Sequence, residues 1–186
     1  MKNHHLSDCI VLDPELDSAP VVVVYGGLYG WEGAWLINKI PVDLKQSAIF
    51  VLPYHYETDC ALCLKELRSK VSTDKISSYS LCGYSRGGIC VYQYWKLEDW
   101  KILGLIDPSA PRMYKPPFAD TVLDSVSTKI RCVYWVPNWG KDGYDGKIPD
   151  FAQHLRDLKV KMTEKATPHP DMPKFFFTTY GSDLKS

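Results

Sequence analysis

Leu-Cys-Gly-Tyr-Ser-Arg-Gly-Gly, residues 81–88, is the stretch from which the fold of this chain is best inferred. Residues 76–82 are a short apolar and β-friendly run, and residues 89–97 form a proline-free run of helix length. Ser85 therefore lies where a predicted strand passes into a predicted helix, with a glycine two positions away on either side. A serine on so sharp a turn has strained backbone angles, and side chains at the two glycine positions would collide with the strand and the helix.

This turn would expose the Ser85 hydroxyl near the start of a helix. Free backbone N–H groups at such a place can stabilise a developing negative charge. The pattern Gly-x-Ser-x-Gly also occurs around ordinary turn serines, so the rest of the chain has to show whether Ser85 is a nucleophile or only a turn residue. The hypothesis is that Ser85 is a catalytic nucleophile.

The composition is that of a globular protein. The chain has 186 residues, of which 45% are hydrophobic, and it carries 22 basic and 22 acidic side chains. This length suits one domain with a sizeable core, so we predict a single domain over residues 1–186, with residues 1–20 peripheral. The balanced charge, without a Lys/Arg block, gives no reason to expect a nucleic-acid partner.

No targeting or membrane-spanning segment is predicted. Residues 1–20 contain four acidic side chains and lack the long apolar run of a signal peptide. The apolar run at residues 21–25 is far too short to span a bilayer. We therefore expect a cytoplasmic protein; the sequence leaves its oligomeric state open.

Four of the six cysteines are interpreted as core residues: Cys82 and Cys132, which fall in strand-like runs, and the pair Cys60 and Cys63. Cys60 and Cys63 have the spacing of half a redox or zinc site, but the chain has no second Cys-x-x-Cys pair. The pair also falls in an amphipathic helical pattern, where packing in the core is the simpler interpretation.

Strand and helix patterns alternate along the chain, which predicts an α/β fold. We expect a three-layer α/β/α sandwich with a mostly parallel central sheet, whose ligands bind beyond the carboxyl ends of the strands. The predicted strands are residues 21–25, 47–52, 76–82, 102–106, 130–136 and 160–164. The predicted helices are residues 59–70, 89–97 and 149–158 and a C-terminal helix from about Met172.

With the Gly-x-Ser-x-Gly turn and the chain order of serine, acid and histidine, the sequence resembles the α/β-hydrolases. The resemblance covers the chain from about Val21 to its end, and it implies a small, lidless form of that fold similar to esterases and thioesterases. It also implies that Ser85 is the nucleophile. His169 matches the family's histidine by its position between the last strand and the C-terminal helix.

The sequence VVVVYGGLYGWEGAW, residues 21–35, is similar to the family's first core strand and its oxyanion loop. Tyr25 stands where the family usually has histidine. By the family pattern, one oxyanion donor is the backbone N–H of Gly27, or of Leu28 if the loop is shifted. The other donor is the backbone N–H of Arg86, the residue after the nucleophile.

Three aspartates are candidates for the acid of the triad. Asp145 is the first choice, because Asp-Gly-Lys-Ile-Pro at residues 145–149 is similar to a family pattern at the start of a helix. Asp142 lies in the same loop and is the second choice. Asp107 is the third, because some family members take the acid from one strand earlier.

The segment in which many relatives carry a large lid is short in this chain. We therefore expect an open site whose acyl-bearing substrate lies partly outside the protein, such as an acylated protein or a polymer. Tyr29, Met113, Trp139 and Tyr144 are the candidates for substrate contacts. A serine triad of this kind requires neither a metal nor an organic cofactor.

The function expected from these features is hydrolysis of an ester or thioester through an acyl-enzyme intermediate. A catalytically silent binding or scaffold protein on the same fold is the main alternative. Acyl transfer to an acceptor other than water, or peptide hydrolysis, is a further alternative because these reactions use the same triad.

Overall fold

A computed structural model describes residues 1–27, 33–108, 125–135, 155–165 and 167–185 of the chain. Within these residues eight strands form one sheet: β1 (Lys2–His5), β2 (Cys9–Asp13), β3 (Ala19–Tyr25), β4 (Ile49–Pro53), β5 (Ile76–Tyr84), β6 (Trp100–Ile106), β7 (Ile130–Trp135) and β8 (Lys161–Lys165). The α-helices with described bounds are α1 (Gly33–Ile37), α2 (Val42–Lys45), α3 (Cys60–Lys70), α4 (Gly88–Tyr94) and α5 (Met172–Lys185).

The sheet is mostly parallel, as the alternation of strand and helix patterns predicted. Its strand order is β1-β2-β4-β3-β5-β6-β7-β8, and every pairing from β4 to β8 is parallel. Only the pairings β1–β2 and β2–β4 are antiparallel. Parallel pairing brings the carboxyl ends of β3, β5, β6 and β8 to the same edge of the sheet.

Helices cover both faces of the sheet, which produces the three predicted layers. The β3 residues Val21 and Val23 pack with α3 and α4 on one face. The alternating residues Val22 and Val24 pack with α1, α2 and α5 on the other face. A strand with two buried faces needs apolar residues at every position, which explains the unbroken valine run.

The N-terminal segment is more integrated than the sequence predicted. Residues 1–20 were expected to be peripheral, yet they form β1, β2 and the start of β3. The side chains of residues 9–12 are buried, so the expectation is wrong for β2. Antiparallel pairing with β4 covers an edge of the parallel sheet that would otherwise expose unpaired backbone groups.

All six cysteines are free thiols with buried side chains. Burial raises the pKa of the Cys82 thiol to about 12 and has the same effect on Cys60. Their burial confirms the prediction that Cys60 and Cys63 pack in the core. In the described part of the chain, no helix has the length and apolarity needed to cross a membrane.

Candidate active site

Ser85 lies in a tight turn between β5 and α4. It begins a single 3-10 turn, Ser85–Gly87, and its backbone φ is +52°, in the left-handed region that L residues rarely occupy. A Cβ atom on Gly83 would lie 2.2 Å from the carbonyl oxygen of Gly87. A side chain at Gly83 would therefore prevent the turn from closing, which is why the sequence needs glycine there.

The Gly26–Gly27 segment at the end of β3 lies directly against this turn. A Cβ atom on Gly87 would approach the carbonyl oxygen of Gly26 to 2.4 Å. A Cβ atom on Gly27 would lie 3.2 Å from the Cβ and 3.5 Å from the Oγ of Ser85. The backbone of Gly27 is thus adjacent to the serine hydroxyl.

Tyr25, the last residue of β3, connects the Gly26–Gly27 segment to the elements packed behind it. Its hydroxyl donates a hydrogen bond of 2.8 Å to the carbonyl oxygen of Thr58, in the segment between β4 and α3. Its ring stacks on Tyr94 of α4, with ring centroids 6.2 Å apart. Burial raises the pKa of the Tyr25 hydroxyl, so this group remains a neutral hydrogen-bond donor.

Asp107 and His169 are brought together from distant parts of the sequence. Asp107 directly follows β6, and its Oδ2 atom is in close hydrogen-bond contact with Nδ1 of His169. The exposed side-chain fractions are 2% for Asp107 and 16% for His169, so the contact is shielded from bulk water. The carboxylate therefore orients the imidazole and directs its other nitrogen, Nε2, away from Asp107.

The backbone of Asp107 is also in the left-handed region, with φ of +40°. Its N–H donates a hydrogen bond of 2.7 Å to the carbonyl oxygen of Val133 in β7. This bond anchors the residue at the end of the sheet despite its unfavourable backbone angles.

Tyr84 links the histidine to the serine turn. Its hydroxyl donates a hydrogen bond of 3.1 Å to the carbonyl oxygen of His169, and the two rings lie 4.8 Å apart. The indole of Trp35 stacks on Tyr84 with ring centroids 5.7 Å apart. Because Tyr84 immediately precedes Ser85, these contacts hold the His169 segment beside the turn that carries the serine.

Arg86 follows Ser85, and its side chain lies over Tyr56. The guanidinium carbon is 5.1 Å from the centroid of the Tyr56 ring, a cation–π distance. Within the described residues, the Nε atom of Arg86 is buried and has no hydrogen-bond partner. The site thus contains a partly buried cation next to the serine.

The structure gathers five of the predicted site residues at one edge of the sheet: Ser85, Gly27, Arg86, Asp107 and His169. The other predicted residues lie outside the described residues: Leu28, Tyr29, Met113, Trp139, Asp142, Tyr144 and Asp145. Sequence reasoning missed Tyr84, Trp35 and Tyr56. Tyr84 belongs to the serine motif itself, but nothing in the sequence shows that it pairs with a residue 85 positions later.

Comparisons with known proteins agree with this architecture. No protein-family model and no curated protein matches the sequence. An esterase of Pyrococcus furiosus is similar in structure over 99% of this chain and 89% of its own, with a TM-score of 0.64 and 11% identity. A lipase/esterase of Lactobacillus plantarum aligns over 97% of both chains, with a TM-score of 0.55 and 11% identity.

A third similar structure is the thioesterase domain from the curacin biosynthetic pathway. It covers 100% of this chain and 98% of its own, with a TM-score of 0.58 and 11% identity. The fold is of the α/β-hydrolase type. At these identities the likeness concerns the fold alone, so the chemistry has to be argued from the site.

Proposed function

We propose that the protein is a serine hydrolase that cleaves an ester or thioester through an acyl-enzyme intermediate. The observation that carries the proposal is the Asp107–His169 pair, which is shielded from bulk water and joined through Tyr84 to the turn of a serine whose backbone φ is +52°. Ser85, Asp107 and His169 follow β5, β6 and β8, whose carboxyl ends lie at one edge of the sheet.

Each residue has a role that follows from its position. His169 accepts the proton of the Ser85 hydroxyl through Nε2, because Nδ1 is bonded to Asp107. The serine oxygen attacks the acyl carbon, and the backbone N–H groups of Gly27 and Arg86 hold the oxyanion that forms. His169 then returns the proton to the departing alcohol or thiol.

The second half of the reaction repeats these roles with water. His169 takes a proton from a water molecule, which attacks the acyl carbon of the ester on Ser85. The oxyanion forms again at Gly27 and Arg86, and its collapse breaks the bond to Ser85 and releases the carboxylic acid, while His169 returns the proton to the serine oxygen. Asp107 stabilises the positively charged imidazole in both halves.

A catalytically silent scaffold on this fold is less well supported. Such a protein has no need of a buried carboxylate behind the histidine, whereas Asp107 occupies that position with an exposed side-chain fraction of 2%. It also has no need of left-handed backbone at Ser85, which costs free energy.

Fluorophosphonate labelling followed by peptide mapping tests the proposal. We expect the probe to modify Ser85 in the wild-type protein, and the Ser85→Ala variant to lose both labelling and hydrolysis of short para-nitrophenyl esters. If the wild type is not labelled and the variant hydrolyses esters as well as the wild type does, the proposal is wrong. Oxoesters and thioesters with the same acyl chain, assayed side by side, then determine which bond is preferred.

A further inference from the structure

Arg86 differs from the other described arginines in having no carboxylate partner in the described residues. The others are all paired: Arg68 with Glu98, Arg131 with Asp183 and Arg156 with Glu164. Arg86 is also the only described arginine that has a buried side-chain nitrogen without a hydrogen-bond partner. A guanidinium carries five N–H donors and no acceptor, so this side chain retains unused donors beside the serine.

The two acidic side chains that follow Tyr56 most closely in the sequence, Glu57 and Asp59, are bonded elsewhere. Glu57 accepts a hydrogen bond of 3.2 Å from the Tyr56 hydroxyl, and its carboxylate lies 3.6 Å from His55. Asp59 accepts a hydrogen bond of 2.7 Å from the N–H of Ala61 and thereby caps α3. The Tyr56 ring holds the guanidinium by its face, which leaves the N–H groups at its edge unpaired.

The strand order shows on which side of Ser85 the guanidinium lies. Tyr56 follows β4, which is separated from β5 by β3. Asp107 and His169 follow β6 and β8, on the opposite side of β5. Arg86 therefore extends from the serine toward the β4 side, away from the histidine.

This direction determines which part of a substrate Arg86 can contact. His169 donates the proton to the leaving group, so the alcohol or thiol must depart on the histidine side of Ser85. A group bound on the β4 side consequently belongs to the acyl part. An oxyanion is the natural partner of unused guanidinium donors, because planar carboxylates match their geometry.

We infer that Arg86 binds a carboxylate at the far end of the acyl chain, so that the preferred substrates are half-esters or half-thioesters of dicarboxylic acids. This inference rests on the proposed hydrolase function and specifies its substrate class. The backbone N–H of Arg86 contacts the oxyanion, while its side chain selects the acyl group. Tyr56 positions the guanidinium for this purpose.

The test is a comparison of matched acyl chains on one leaving group. The substrates are the para-nitrophenyl half-esters of adipic and pimelic acids and the para-nitrophenyl esters of hexanoic and heptanoic acids. The measured quantity is the ratio of kcat/KM for each charged substrate to kcat/KM for the neutral one of equal length, after subtraction of spontaneous hydrolysis. We expect a wild-type ratio of about ten or more at one of the two lengths.

Substitution of Arg86 should change this ratio. In Arg86→Met we expect it to fall about tenfold or more, and Arg86→Lys should retain part of it because the charge remains. Arg68→Met is the matched control. Arg68 also lies over a tyrosine ring, at 5.5 Å, but it is paired with Glu98, so its substitution should leave the ratio unchanged.

Each outcome supports or overturns the inference. A wild-type ratio near one, or a ratio equal in the wild type and Arg86→Met, refutes it and leaves the hydrolase proposal intact. An Arg86-dependent preference for the hexanoate ester of para-hydroxybenzoate over the para-nitrophenyl ester also refutes the inference. The charge of that substrate lies on the leaving group, whereas the inference places it on the acyl part. A wild type without hydrolysis and without fluorophosphonate labelling refutes the proposed function, and this inference with it. The wild-type ratio needs no variant and can refute the inference by itself, and Arg86→Lys provides a second variant if Arg86→Met does not fold.

Discussion

Replacing Ser85 with glycine is expected to abolish hydrolysis while making the protein more stable than the Ser85→Ala variant. The reason is the backbone conformation of this residue, whose φ is +52°. Alanine, like serine, is strained in left-handed backbone, whereas glycine adopts it at no steric cost. Both variants lack the hydroxyl, so the comparison isolates the backbone.

The expected difference follows from two opposing effects. A left-handed conformation costs an L residue about 1–2 kcal/mol, which the glycine variant recovers. Glycine also makes the unfolded chain more flexible, which offsets about 0.4–1 kcal/mol of that gain. Taking the middle of each range, the net gain of Ser85→Gly over Ser85→Ala is about 0.8 kcal/mol in the free energy of unfolding.

Urea denaturation of the two variants measures this difference. With a slope of about 2 kcal/mol per molar urea, we expect the midpoint of Ser85→Gly to lie about 0.3–0.5 M higher. Lys159 provides the matched control, because it is exposed, precedes the amino end of β8, opposite the strand ends that carry the site, and has a φ of +57°. The free energy of unfolding of Lys159→Gly should exceed that of Lys159→Ala by a similar amount, and neither variant should lose hydrolysis. If the glycine variant at position 85 is no more stable than the alanine variant, the serine is not strained and the reasoning fails.

Three further predictions concern the acid, the oxyanion loop and a charge pair. Asp107→Asn should lower kcat at least about a thousandfold, whereas Asp145→Asn should have little effect; the reverse result would assign the acid to Asp145. Gly27→Ala keeps the backbone N–H, but its methyl group would lie 3.2 Å from the Cβ of Ser85 and must displace one of the two, so kcat/KM should fall about tenfold or more; unchanged activity would contradict the close packing of Gly27 against the serine. The Arg131 hydrogen bond keeps the pKa of Asp183 below its usual range, so the pair stabilises the fold above about pH 4 and this contribution is lost as the pH falls further. Urea denaturation should show Asp183→Asn to be less stable than the wild type by up to about 1 kcal/mol at neutral pH, and a difference of the same size at about pH 2 would contradict the assignment.

The parallel part of the sheet could be predicted because its strands are buried on both faces. An unbroken apolar run such as residues 21–25 is too short for a buried helix and is typical of a strand covered on both sides. The strands predicted in this way lie close to the observed ones. The strand β2 was missed because its apolar run is only four residues long and lies between acidic residues. Its role depends on an edge of the sheet left open by distant strands, which local sequence does not reveal.

Within the site, the sequence indicated the serine and the histidine more clearly than the acid. Ser85 has a local signature, and His169 has a recognisable place between the last strand and the C-terminal helix. Three aspartates follow strand ends, and only the three-dimensional arrangement shows that Asp107 reaches Nδ1 of His169. The support given by Tyr84 could not be predicted either, because it depends on how two loops meet in space.

The buried thiols can be used to measure local unfolding of the protein. A thiol-specific alkylating agent reacts with a cysteine only while that part of the structure is open, so the rate at each position measures how often it opens. Cys82 packs on the α5 face of the sheet, whereas Cys60, Cys63 and Cys90 pack on the α3 and α4 face. Mass spectrometry of the labelled peptides would therefore show which of the two helical layers separates from the sheet first.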